Sequence, residues 1–320
     1  MANSNPKISV VIPAYNAEKF LRETVQSVLD QSFEDWELVI VNDGSKDRTL
    51  EVAQACASLD SRTSVLDKQN GGVSSTRNLG VSATNKNSAY IIFLDADDVW
   101  ETFALSTLFD VLENNPESVA AYGLASSMDI NSMSINPGKL EAHQLNRYCV
   151  VDKKLRKVEN SAPATFDVIS FHNCIQTAGC ILIRRAIFER VGPFDQELSG
   201  VADWDMWLKI SAIGSIYTFP SAILKYRIHP NSMANQKVEM LKDEMRLRNK
   251  TLEWTLKTPE LHGIVRTNVR YRSLKIARDR IVWAKGSFKA RSPFEGLNQL
   301  RHAFFDYYSF LSGRILVKKK

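Results

Sequence analysis

Between residues 7 and 94 the chain alternates short unbroken apolar runs with stretches of helical period, and this alternation limits the fold more than any other feature. The runs occupy residues 7–13 (KISVVIP), 36–41 (WELVIV), 63–66 and 90–94 (YIIFL). Their β-branched content suits strands. The stretches between them, 17–31, 46–58 and 72–83, are expected to be helices; Phe20, Leu21, Thr24, Val25, Val28 and Leu29 share one face of the first. Ser45 is placed to cap the second. A β-α-β-α-β-α-β order with strands apolar on both faces predicts an α/β fold, a Rossmann-like, mostly parallel sheet flanked by helices. Such sheets take ligands in the crevice outside the carboxyl ends of their strands. Three of these strands run into PAYN, NDGS and DADD, so polar side chains converge on one crevice.

Beyond Trp100 the pattern is mixed. Helices are expected at 103–114, 186–191 and 201–213, and strands at 119–126, 179–184, 215–219 and 224–228. Residues 128–165 carry several breakers and predict excursions and hairpins. From about residue 235 the chain is expected to be helical, over 240–258, 265–283 and 297–316. This divides it into a catalytic region, 1–234, and a basic C-terminal helical extension, 235–320. Within the first, 1–100 would bind a donor and 101–234 would form the acceptor side.

Hydrophobic residues make up 44% and charged residues 24%, which supports a large core and argues against global disorder. No run approaches the ~18 apolar residues of a spanning helix. The opening MANSNPKISVVIPAYN is interrupted by Pro13 and does not read as a secretory leader, so a cytoplasmic location is expected. Cys56, Cys149, Cys174 and Cys180 lack metal-ligand spacing and read as thiols in a reducing compartment. Charge is uneven: residues 241–320 hold 19 Lys/Arg against 7 Asp/Glu, and the rest holds 22 against 29. Aromatics beside lysines in this tail suit peripheral contact with the inner membrane face. Packing against the catalytic region or a second copy, as a homo-oligomer, is the alternative. Nothing resembles a module that reads nucleic acid.

The strand end IIFLDADDVW places Asp95, Asp97 and Asp98 within one tight step. Carboxylates so close repel, and something must compensate them. Two acids spaced D-x-D can share a hard divalent cation, Mn²⁺ or Mg²⁺, which takes oxygen ligands and completes its shell with substrate phosphates. A polar loop with a capping Asp is the alternative. Neither G-x-G-x-x-G nor G-x-x-x-x-G-K-[ST] occurs, which argues against dinucleotide oxidoreductases and P-loop enzymes.

The segment ISVVIPAYNAEKFLRETVQSVLDQSFEDWELVIVNDGSKDRT resembles the start of a family 2 glycosyltransferase of the GT-A fold. NGGVSSTRNLG and FLDADD stand where that family has its next motifs, and RVGPFD, ADWDMWLKI and YRIHPNSM resemble its later ones. The likeness runs from residue 7 to about 233 and leaves the helical tail uncovered. It implies a nucleotide-diphosphate-sugar donor, with a UDP-sugar favoured, contacted by Pro13, Ala14 and Tyr15. Asp43 would accept a hydrogen bond from the base, and Arg77 would lie near base and phosphates. Asp95, with Ala96, would sit by the ribose and metal; Asp97 would ligate the metal, with a further contact from His229. Asp98 has no assigned role. The family is inverting, so one base deprotonates the acceptor hydroxyl. Asp203 matches the family's Asp, while Ala202 stands where Glu is common. Asp205 is the rival, but on a helix it points away from Asp203. Trp204 is a candidate acceptor wall and Trp207 a core residue.

The Q-x-x-R-W motif of processive synthases is absent, which favours transfer of single sugars to a glycan, lipid-linked or protein-linked acceptor. Two alternatives stand beside this reading. A GT-A-like nucleotidyltransferase would act on a sugar phosphate, and a non-catalytic sugar-binding protein would need no base.

Overall fold

The computed structural model describes residues 6–135, 139–229, 237–289 and 292–312. Residues 230–233 of YRIHPNSM, including Ser232, and the terminal VKKK lie outside them. In chain order the first elements are β1 (Ile8–Ala14), α1 (Leu21–Leu29), β2 (Trp36–Asp43), α2 (Thr49–Ala57), β3 (Thr63–Lys68), α3 (Gly72–Ala83) and β4 (Tyr90–Phe93). They follow the expected alternation. Next come β5 (Val99–Trp100), α4 (Ala104–Asn114), β6 (Ala120–Met128), α5 (Lys139–Leu145), β7 (Tyr148–Val151), β8 (Lys154–Lys157) and α6 (Phe166–Phe171). A 3₁₀ turn, Ala178–Cys180, leads into β9 (Ile181–Arg184), α7 (Arg185–Val191), α8 (Ala202–Ser211) and β10 (Ile216–Arg227). Three helices close the chain: α9 (Lys237–Thr255), α10 (Pro259–Lys289) and α11 (Pro293–Ser312).

Eight strands form one sheet in the order β3-β2-β1-β4-β9-β6-β10-β5. β1 pairs in parallel with β2 and β4, and β2 with β3. β9 inserts antiparallel between β4 and β6, and β6 pairs in parallel with β10. The sheet is therefore mixed and mostly parallel, with helices on both faces. One apolar core gathers Ile8, Ile12, Leu21, Val25, Trp36 and Leu108; the other gathers Phe93, Ile169, Trp207 and Phe194. Leu247, Val265 and Val269 of α9 and α10 join the second core, so these two helices pack against the sheet domain.

Two glycines fix the crevice end. A Cβ on Gly80 would lie 2.3 Å from Val11 Cγ1, so only glycine lets α3 approach β1 this closely. Gly44 has φ of +65° and would place a Cβ 2.7 Å from the Asn70 amide nitrogen. Both features draw α3 and its N-terminal turn onto the strand ends.

Some elements differ from the sequence expectation. The segments 215–219 and 224–228 belong to one strand, β10, whose register against β6 shifts between Thr218 and Leu224. Pro220 interrupts the ladder there without ending the strand, as prolines at bulges do. β5 and α6 are too short to leave a periodic signal. The expected hairpin is β7–β8, turned by Asp152 and Lys153 at φ of 49° and 58°.

Candidate active site

The end of β1 and the loop after β2 are tied by backbone groups. The Asn16 amide donates to Ser45 Oγ (3.0 Å), Lys46 N to Asn16 Oδ1 (2.9 Å) and Ala17 N to Thr49 Oγ1 (2.7 Å). Pro13 and Ala14 are thus fixed at the crevice floor, with Ala14 buried and Tyr15 half exposed beside it. A cleft of ≈ 450 Å³ opens at the ends of β2 and β3, lined by Asn42, Gly44, Ser45, Asp47, Lys68 and Gln69 among others.

Asp43 is buried beneath this cleft. Its Oδ1 accepts from Lys68 Nζ (2.6 Å) and Gly71 N (2.9 Å), and its Oδ2 from Gly72 N (2.9 Å). Burial pushes its pKa up, but Lys68 and the Gly71 amide outweigh that and hold it below the ordinary carboxylate value. Asn70 Nδ2 approaches Oδ2 as well, at 3.4 Å, so about four acceptor positions of the carboxylate are taken. Asp43 therefore holds the start of α3 first, and the base contact expected from sequence would have to displace Asn70 from Oδ2. The neighbouring Asn42 was not singled out in the sequence. It donates to Asp67 (2.7 Å), and its buried Oδ1 has no hydrogen-bond partner. A single Asn at a strand end carries no signal that would have found it.

The acids at the end of β4 have unequal surroundings. Asp95 pairs with Arg77 at 2.6 Å and accepts from Thr177 Oγ1 at 3.2 Å. Arg77 is buried between Phe93 and Phe194, its guanidinium 6.0 and 5.3 Å from their ring centres. The sequence placed Arg77 near base and phosphates; the structure seats it on Asp95. Ala96 is buried and its carbonyl accepts from Thr24 Oγ1 (3.0 Å), which anchors the step to α1. Asp97 is partly exposed and meets His229 Nε2 at 2.8 Å. Burial and then the charge of Asp95 raise its pKa, against the pull of His229. Asp98 is fully buried and accepts from the Arg227 amide (3.1 Å) and Thr177 Oγ1 (3.2 Å). Burial, Asp97 and Asp95 push its pKa well above the ordinary value. Asp98 thus joins β10 to the step and is held from solvent.

Arg227 braces the same step. Its Nε donates to the Asp97 carbonyl (2.8 Å), and its other nitrogens reach Glu23 (2.7 Å) and Ser132 (2.9 Å). Tyr226 is a further residue that sequence reasoning passed over. Burial raises its phenol pKa first, and then Asp98, Asp97, Asp95 and Asp203 all add to it. The four carboxylates therefore act on one phenol through their charge. Thr177, which bridges Asp95 and Asp98, sits in an irregular loop with no motif to mark it.

Asp203 stands in the first turn of α8 and accepts from its neighbour's amide, Trp204 N, at 2.7 Å. Burial raises its pKa to about 6; Arg77 and the Trp204 amide oppose that shift, and Asp95 adds to it. Asp205 is buried on another face and paired with Lys209 at 2.6 Å. The separation of the two acids follows the helix period. Trp204 is not an open acceptor wall. Its ring is buried, its indole N–H donates to Ile169 O (2.8 Å), and Arg248 and Arg272 lie 5.3 and 5.5 Å from its centre. An indole that finds a carbonyl partner inside the core is stable there, which the helix spacing alone did not reveal. Trp207 is fully buried, as expected.

The loop before α8 is held from outside the sheet. Asp243 of α9 accepts from Ser199 N (3.3 Å), Ser199 Oγ (2.8 Å) and Gly200 N (3.0 Å). Lys250 of the same helix pairs with Asp195 and Glu197, each at 2.6 Å.

A divalent cation fits this donor set. Asp97 offers an oxygen and His229 a nitrogen at one point, and the charge of residues 95–98 is only partly neutralised by Arg77. Among the described residues no group of three or more His, Cys, Asp or Glu forms a complete cage. Mg²⁺ and Mn²⁺ sites of transferases use one or two protein ligands and leave the rest to phosphate and water.

The family model described as Glycosyl transferase family 2 matches residues 9–192. An uncharacterized glycosyltransferase of Rickettsia prowazekii is 30% identical over 241 residues, covering 75% of this chain and 69% of that protein. The uncharacterized glycosyltransferase EpsJ of Bacillus subtilis is 29% identical, covering 75% of this chain and 66% of its own. Among solved structures, residues 1–349 of S. aureus TarS in complex with UDP-GlcNAc superpose with a TM-score of 0.64 at 17% identity, over 95% of this chain and 81% of that one. The mannosyltransferase PcManGT of Pyrobaculum calidifontis, with GDP-Man and Mn²⁺, gives 0.62 at 15%, over 97% and 88%. At these identities the structures speak for the fold, which is of the GT-A type.

Proposed function

The chain belongs to glycosyl transferase family 2, and from that premise we propose that it inverts the anomeric centre as it moves one sugar from a UDP-sugar to an acceptor hydroxyl, with Asp203 as base. The observation that carries this reading is the environment of Asp203. A carboxylate with a pKa near 6, neighboured by Arg77 and Asp95, is deprotonated at neutral pH and still basic enough to take a proton in the transition state.

The acceptor oxygen attacks the anomeric carbon from the side away from the diphosphate. The new C–O bond forms as the bond to the phosphate oxygen breaks, and Asp203 receives the hydroxyl proton. The nucleoside diphosphate leaves. Asp97 and His229 would hold Mn²⁺ or Mg²⁺, which when bound neutralises charge on the departing diphosphate. Arg77 keeps Asp95 fixed beside it. The unpartnered Asn42 Oδ1, and Asp43 Oδ2 once Asn70 is displaced, offer acceptors for a uracil N–H in the cleft at the ends of β2 and β3. The acceptor is a glycan or a lipid- or protein-linked hydroxyl on the side of residues 101–234.

Product analysis tests the class of reaction. Nucleoside diphosphate should accumulate with transfer, whereas pyrophosphate would mark a nucleotidyltransferase. Asp203→Asn should cut turnover by about 10²–10⁴-fold while calorimetric binding of UDP with Mn²⁺ stays near the parent value. Near-normal turnover in this variant would remove Asp203 from the mechanism.

A further inference from the structure

Ser292 N, just before α11, donates to Ser287 O of α10 at 2.9 Å, and the two helices pack along each other, so they form an antiparallel pair. Their contact is made by small residues. Ala277 and Ala284 of α10 and Ala303 of α11 are buried, and a Cβ on Gly296 would meet the Phe288 ring at 2.8 Å. The flanks of this pair differ in character. On α11, Leu297 (61% exposed), Leu300 and Phe304 (67% exposed) follow a three- and four-residue spacing, so they form a stripe about a quarter turn past the contact. On α10, Ile281 and Phe288 lie past the contact in the same rotational sense, and both are exposed. In antiparallel helices, residues displaced from the contact in the same rotational sense fall on the same side of the pair. One side of the hairpin is therefore an exposed apolar face with contributions from both helices.

Basic residues border this face. Arg278 and Lys285, both exposed, lie on the apolar side of α10 at i, i+7, and Arg301 borders the stripe on α11. By the same helical period Glu295 falls on the other side. Apolar and aromatic residues ringed by cations are complementary to an anionic lipid surface. A second copy is disfavoured as occupant. A symmetric dimer through this face would bury Arg278, Lys285 and Arg301 of both copies, and among the described residues beside them no acid lies on the face to pair with them.

We propose that this face of the α10–α11 hairpin docks the enzyme onto an anionic lipid bilayer, the apolar stripe entering the headgroup boundary and Arg278, Lys285 and Arg301 meeting lipid phosphates. The site is remote from the carboxylates of the crevice, so the proposal does not depend on the assigned chemistry. Among the described residues no helix is long and apolar enough to cross a membrane, which leaves surface docking as the mode of contact.

Co-sedimentation of the full chain with vesicles tests it. Binding is expected to vesicles of phosphatidylglycerol and phosphatidylcholine, and to fall at least tenfold on pure phosphatidylcholine. The double variant Leu297→Glu, Phe304→Glu alters exposed positions only and should lose at least tenfold in binding. Lys285→Glu should lose the preference for anionic vesicles. Circular dichroism and UDP binding of both variants should match the parent. The proposal fails if the parent does not bind anionic vesicles, or if the double variant binds as the parent does. It also fails if the face instead drives a concentration-dependent dimer that the double variant dissolves.

Discussion

Asp97 and Asp203 are both partly buried aspartates in one crevice, yet the fold supports them by different means. Asp97 extends from the end of a parallel strand, and its partners are local to the sheet: His229 just past β10, and the Arg227 side chain on its own carbonyl. Asp203 stands on α8, and the loop that delivers α8 is held by Asp243 and Lys250 of α9, beyond the stretch matched by the family model. Asp97 is thus placed from within the sheet, and Asp203 by a helix packed outside it. The difference teaches that one crevice is supported from two layers, so the two acids can be disturbed separately.

The comparison can be broken at four points, taken from the largest effect down. Asp97→Ala removes the oxygen proposed to face the metal and one partner of His229. UDP affinity measured by calorimetry should fall by about 10²-fold in Mn²⁺ and little in its absence. If affinity in Mn²⁺ is unchanged, Asp97 is not on the metal side. Asp243→Ala frees the loop before α8 and should lower kcat roughly tenfold through misplacement of Asp203, with UDP affinity unchanged. An equal loss of donor affinity would show that α9 supports the whole crevice rather than the base half.

The third is a pH profile. As the proposed base Asp203 would act deprotonated, so kcat/KM should decline as pH falls through about 6. Arg77 lowers that pKa, so Arg77→Gln should move the acidic limb to higher pH. A limb that stays in place would deny the coupling of Arg77 to Asp203. The smallest effect belongs to Asp205→Asn. This acid faces Lys209, away from the crevice, and turnover should stay within about twofold of the parent. A loss as large as that of Asp203→Asn would exchange the roles of the two acids.

Much of the donor half was legible in the chain. Strands apolar on both faces announce a buried parallel sheet, and the polar ends of β1, β2 and β4 point to one crevice because parallel strands all end on the same side. The split of β10 was misjudged because Pro220 reads as a stop, whereas a bulge can absorb it. Trp204 was misjudged because helical spacing gives a direction but not the depth of the neighbouring layer. Thr177 and Asp243 carried no pattern, since each gains its role from a segment distant in sequence, and Tyr226 stood in YRIHPNSM with nothing to mark it beside His229.

The sequence by itself determined the layer order, the direction in which the strands present their ends, and the presence of acids there, since periodicity and residue type act locally. The tertiary structure decided how those acids are divided. Arg77 from α3 takes Asp95, Thr177 and the Arg227 backbone take Asp98, His229 takes Asp97, and α9 sets the loop before Asp203. A charge is tuned by whatever packs within a few ångströms of it, and those neighbours come from distant parts of the chain.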